Sequence, residues 1–96
     1  MARAMRLFLS LFDNLAKPTR EAIEQHVAYL RDLDDRGVLL VCGPFTEGDG
    51  GMVCFFADTR EEAVRIAERD PFVAMGFKRH RLREIERATR DNGYLS

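Results

Sequence analysis

The sequence predicts an α+β fold: a four-stranded antiparallel sheet with two helices on one of its faces. Three observations carry that reading. Four short segments alternate or run apolar at strand length. Two others repeat apolar residues at helical spacing. Gly, Pro and Asx turn residues separate them in the order strand–helix–strand–strand–helix–strand.

Residues 5–12 read as the first strand. Alternation sends Leu7, Leu9 and Leu11 to one side and Arg6, Phe8, Ser10 and Phe12 to the other. Asp13-Asn14 closes the strand with turn chemistry. Pro18 then suits the first position of a helix, where its missing N–H is harmless. Ile23, His26, Val27, Leu30 and Leu33 recur on one helical face through Asp35, and Gly37 stands where a C-cap glycine is expected.

Residues 38–42 form a continuous apolar strand stopped by Gly43-Pro44. The glycines at 48, 50 and 51 make a long hairpin loop into a third strand at 52–57. Thr59 to Glu62 is a capping box that opens a second helix with an apolar face of Ala63, Val64, Ile66 and Ala67. Pro71 ends that helix, since the α region is disfavoured for the residue before proline. Asp70 and Pro71 fit the N-cap and first position of one more helical turn, closed by Gly76. The last strand, 77–85, is rich in Lys and Arg, which suits a sheet edge guarded against foreign strands. Residues 86–96 form a polar tail.

That order is the split βαβ, ferredoxin-like arrangement. Its helices cover one side of the sheet. Phe8, Phe12 and alternate residues of the second and third strands are expected to leave an apolar area on the bare side, which a monomer seldom exposes. The expectation is a homodimer packed through the open sheet face. With 96 residues the chain makes one domain, 1–96, with a core over 5–85. A domain of this size buries only about 60–65% of its unfolded surface, which also favours association.

Composition narrows the function. Fifteen basic residues against sixteen acidic ones give a net charge of −1, with no pull toward nucleic acid or an anionic membrane. The basic last strand splits by alternation and lacks an aromatic RNA-binding pattern, so nucleic acid is not an expected partner. No apolar stretch approaches the roughly 20 residues of a membrane span, and the N-terminus does not read as a secretory leader. A cytoplasmic protein is expected. Cys42 and Cys54 sit among apolar neighbours and read as small buried hydrophobes, forming neither a disulfide framework nor a zinc signature.

Two residues could carry chemistry. His26, between Ile23 and Leu30 on the first helix, suits general acid/base work if partly solvated; a core histidine bonded to one carbonyl is the plainer alternative. Asp70 could orient that histidine and fix its tautomer, or serve only as an N-cap; a cap has a second oxygen to offer, so the roles are compatible. Gly43-Pro44 and the loop glycines could form a pocket rim or simply a turn. His80 could line a cleft or lie in solvent. There is no phosphate loop, dinucleotide fingerprint or metal-ligand spacing, so no cofactor or metal is expected.

His26 through Leu30 to Gly37, then Val38-Leu39-Leu40, Gly43-Pro44, the helix start at Thr59, and Asp70-Pro71-Phe72 with Gly76 resemble the YciI-like (YCII-related) family. The resemblance spans about residues 5–85. It implies a ferredoxin-like fold assembled as a dimeric α+β barrel, and an active-site pair that maps onto His26 and Asp70. It also implies kinship with a cofactor-free dehydrochlorinase acting on a chlorinated hydroxyquinol. The resulting expectation is a cofactor-independent enzyme performing elimination or isomerisation on a small cyclic or aromatic substrate. Gly43, Pro44, Phe72 and His80 are then the expected pocket residues. A non-catalytic metabolite-binding dimer and a purely structural dimer are the alternatives.

Overall fold

The computed structural model describes residues 5–96; the first four residues, part of the predicted domain, lie outside the described residues. Strand β1 spans Arg6–Asn14 and helix α1 Arg20–Asp35. Strands β2 (Leu39–Pro44) and β3 (Gly51–Ala57) come next as a hairpin. Helix α2 (Arg60–Glu68), the short α3 (Pro71–Ala74) and strand β4 (Lys78–Ile85) complete the chain. The sheet order is β2-β3-β1-β4, with every neighbouring pair antiparallel. This is the ferredoxin-like fold that the element order predicts.

Pairing and alternation assign the two faces. Phe8 stands opposite Phe55 and Ser10 opposite Val53. Phe8, Phe12, Val53, Phe55 and Ala57 pack under Leu33 of α1 and Ala63, Ile66 and Ala67 of α2. Phe8 and Phe55 are fully buried and stack at 6.3 Å. Removing either ring would cost about 3–5 kcal/mol.

The expected assignment of faces is therefore reversed for β1. Phe8 and Phe12 lie beneath the helices, and the open face carries Leu7, Leu9 and Leu11 across from Phe56, Cys54 and Met52. Alternation separates the two sets but does not say which the helices choose. The larger aromatic volume went to the side with two helices to fill against.

Helix α1 begins two residues later than expected. Thr19, not a residue before Pro18, is the N-cap, and its hydroxyl accepts from the Ala22 N–H at 3.2 Å. The inward line of α1 is Ala22, His26, Tyr29 and Leu33; Ile23 and Val27 face outward enough to be 46% and 37% exposed. At α2 the Thr59 hydroxyl accepts from the Glu62 N–H as its capping box requires.

A bulge between Leu39 and Val41 shifts the register of β2, so Leu39 and Cys42 both reach the core. At the far end of that hairpin, Gly51 permits a close approach. A Cβ there would sit 2.6 Å from the Gly43 carbonyl oxygen. The tail is not featureless. Asn92 accepts from the Thr89 and Tyr94 N–H groups and donates to the Arg87 carbonyl, folding residues 87–94 into a turn.

Candidate functional site

One end of the sheet gathers the last residues of β1 and β2, the start of β3 and the start of β4, with α1 and α3 above them. There His26 Nδ1 lies 2.7 Å from Asp70 Oδ1. His26 reaches this point because it lies on the inward line of α1. Asp70 reaches it because Pro71 ends α2 and forces a new helical start. Asp70 is extended at φ −59° and ψ 123°, and its Oδ1 accepts the Phe72 N–H at 2.9 Å. One oxygen atom thus caps α3 and holds the histidine. A cap with an oxygen to spare predicts that the second oxygen serves the histidine. Instead Oδ2 is buried, with no hydrogen-bond partner among the described residues.

The environment makes this pair unlike a surface contact. Asp70 is 1% exposed and the His26 side chain 14%. The Phe72 ring lies flat on the imidazole, with centroids 3.9 Å apart and planes inclined by 15°. Phe12 meets the imidazole edge-on. On the other side Tyr29 donates its hydroxyl to the Ile66 carbonyl at 2.6 Å. Burial, reinforced by the Asp70 charge, pushes the Tyr29 hydroxyl pKa well above its ordinary 10.0, so it stays a neutral donor.

The chemistry comes from the bond. With Asp70 as carboxylate, Nδ1 carries the proton and donates it, which leaves the Nε2 lone pair as the free basic position. An imidazolium formed by proton uptake has the carboxylate against Nδ1 and an aromatic face against its ring.

Beside this pair lies a cavity of about 310 Å³, at the small end of the range for ligand sites. Gly43, Pro44 and Phe72 line it, along with His26. His80 does not. It stands opposite Phe12 in the β1–β4 pairing, with Nδ1 buried and without a hydrogen-bond partner among the described residues, and β4 reaches the cavity with Lys78 instead. Lys78 Nζ lies 4.9 Å from the Phe72 centroid and 5.9 Å from that of Phe12. Sequence reasoning missed Lys78. Alternation put it on the same side as His80; the β1–β4 register, which sets Lys78 opposite Asn14 at the end of β1, brings the first residue of β4 to the cavity.

Among the described residues no group of three His, Cys, Asp or Glu side chains converges to hold a metal ion, and no helix is long and apolar enough to cross a membrane. Cys54 is buried and Cys42 half-buried, both unpaired, and burial raises both thiol pKa values.

Fold and site together define a ferredoxin-like α+β protein with a buried His–Asp pair beside a small cavity. The model of the YCII-related domain matches residues 5–86, so the chain belongs to the YCII-related family. It is 32% identical over 80 residues to the uncharacterized protein YjpA of Bacillus subtilis (strain 168), covering 83% of this chain and 94% of that one. Its fold is similar to that of 5-chloro-2-hydroxyhydroquinone dehydrochlorinase (TftG) from Burkholderia phenoliruptrix AC1100, solved in complex with 2,5-dihydroxybenzoquinone. The TM-score is 0.68 at 20% identity, covering 88% of this chain and 97% of the other.

Proposed function

We propose that this protein is a small-molecule enzyme that moves a proton through His26, in an elimination or isomerisation of a cyclic or aromatic substrate. The observation that carries the reading is the 2.7 Å bond from His26 Nδ1 to the buried Asp70, beside a cavity of ligand size. His26 is the catalytic residue and Asp70 its positioning residue. Nε2 takes a proton from a substrate C–H or O–H. The electron pair released forms a double bond, and either a leaving group departs with its bonding pair or the imidazolium returns the proton at another atom. Both routes are redox-neutral, and the pair's own proton chemistry needs no cofactor. The fold shared with TftG, whose name records a dehydrochlorination, supports this reaction class.

The homodimer belongs to the same proposal. Leu9, Leu11, Met52 and Phe56 leave the open sheet face apolar and half-covered. Sedimentation is expected to give twice the 11.0 kDa of one chain; Leu11→Glu is expected to yield monomer. A single-chain mass for the wild type removes the dimer from the reading.

The test of function offers 5-chloro-2-hydroxyhydroquinone and an enolisable cyclic ketone in D2O, following chloride release and deuterium incorporation by NMR. Wild type is expected to act on one of them and His26→Asn on neither. A wild type that binds these compounds yet exchanges no proton would establish a metabolite-binding module instead.

A further inference from the structure

The cavity holds a feature that proton transfer alone does not need. Among the described residues, two of its lining side chains carry a polar head, His26 and Lys78; the remainder is apolar or glycine. Lys78 is half-buried and has no acidic partner within ion-pair distance among the described residues. Its neighbours on β4 differ: Arg79 and Arg81 both approach Asp13. What Lys78 has instead is two aromatic faces, with Nζ 4.9 Å from Phe72 and 5.9 Å from Phe12. Those rings hold the ammonium in place without neutralising it. Phe72 is also the ring that stacks on the imidazole at 3.9 Å, so one side chain contacts both the cation and the base.

We propose that the cavity selects a small ring bearing an oxyanion, and that Lys78 is the residue that selects it. Resting on the acid/base reading of His26, this narrows the substrate class to cyclic carboxylates and phenolates. A neutral ring would strip water from the ammonium and give nothing back. A ring oxyanion replaces that water with a charge-assisted hydrogen bond, while its carbons meet Phe12, Leu30 and Met52. Lysine suits this role as a compact donor on a flexible stem, able to follow either a carboxylate or a phenolate oxygen. Held there, the ring presents an atom other than its anionic oxygen to His26 Nε2.

The test measures binding by NMR titration of the intact protein with benzoate, 4-nitrophenolate and the neutral benzamide. Wild type is expected to bind at least one of the two anions tenfold or more tighter than benzamide. Which anion it prefers separates the carboxylate from the phenolate. Lys78→Met is expected to abolish that preference, and Lys78→Arg to retain part of it. His26→Asn keeps the preference, because the imidazole is not what pairs with the anion. Equal binding of anions and benzamide by the wild type, or an unchanged preference in Lys78→Met, overturns the proposal. Since the readout is binding, a wild type that converts nothing yet shows the lysine-dependent preference sinks the catalytic reading alone. A protein that turns over substrate with no such preference sinks this one alone.

Discussion

The two ends of β1 offer two hollows, and they are built differently. Near Arg6 and Leu7 a depression of about 750 Å³ is walled by Phe56, Ile85 and the tail at Arg87 and Asn92. Near Phe12 the cavity is less than half that volume, about 310 Å³. Each has an ion pair. At the large hollow Arg6 and Glu84 form a two-pronged contact at 2.6 and 2.7 Å, with side chains 45% and 37% exposed. At the small one His26 meets an aspartate that is 1% exposed. The shorter, better-shaped contact is therefore the one in water. It holds the Glu84 pKa below, and the Arg6 pKa above, their ordinary values mainly through the hydrogen bond itself, but solvent screens what that contributes to stability. The buried pair has no such screen. Volume and bond length single out the Arg6 end of the strand; burial singles out the His26 end.

The sharpest way to break that comparison is to disarm each pair and measure catalysis on whichever substrate the wild type accepts. His26→Asn is expected to lower turnover by roughly 10²–10⁴-fold, and Arg6→Met to leave it unchanged. Asp70→Asn keeps an acceptor for the Phe72 N–H but offers His26 no charge, so turnover falls while the fold persists. The ¹⁵N shifts of the His26 ring are then expected to move, because the carboxylate charge against Nδ1 is gone, a readout that a merely structural aspartate would not move.

Stability is next in size. Asp70→Ala removes the cap and the buried partner at once and is expected to destabilise by about 3–5 kcal/mol in denaturant unfolding. Glu84→Gln at the other end is expected to leave the unfolding midpoint within experimental scatter.

The smallest effect is on alkaline stability. The Tyr29 hydroxyl is raised in the folded chain, so its contribution is complete below pH 10.0, the ordinary value, and is lost as pH climbs above it, where only the unfolded chain ionises. The raised thiols of Cys42 and Cys54 add the same slope from 9.0 upward. Tyr29→Phe is expected to be less stable at neutral pH, having lost its bond to the Ile66 carbonyl, but to decline less steeply above pH 10.0 in thermal melts.

Much of this was readable in one dimension because it depends on local chemistry. Pro71 must end α2, Asp70 must then cap the helical turn beyond it, and a histidine on an inward helical face must meet something. The element order arises from such local rules; local rules place His26 and Asp70 singly, and their pairing was what the family resemblance implied. What escaped depends on choices made across the sheet. Alternation sorts Phe8 and Phe12 from Leu7, Leu9 and Leu11 without saying which set the helices cover. The bulge at Leu39 to Val41 breaks the period that would place Cys42. A small rotation of α1 exchanges Ile23 for Ala22 and brings in Tyr29, because an alanine admits closer packing against the sheet than the pattern of large residues suggests. Lys78 and His80 share a side of β4, and the register against β1 decides which one meets the cavity.

The single oxygen shared by the Phe72 N–H and the imidazole ties two properties that most proteins keep apart. Any opening of α3 that frees the Phe72 amide also loosens the carboxylate that anchors His26. The hydrogen-exchange rate of that one amide therefore serves as a clock for the site. It reports the fraction of time the carboxylate holds the imidazole, and it can be read without a ligand.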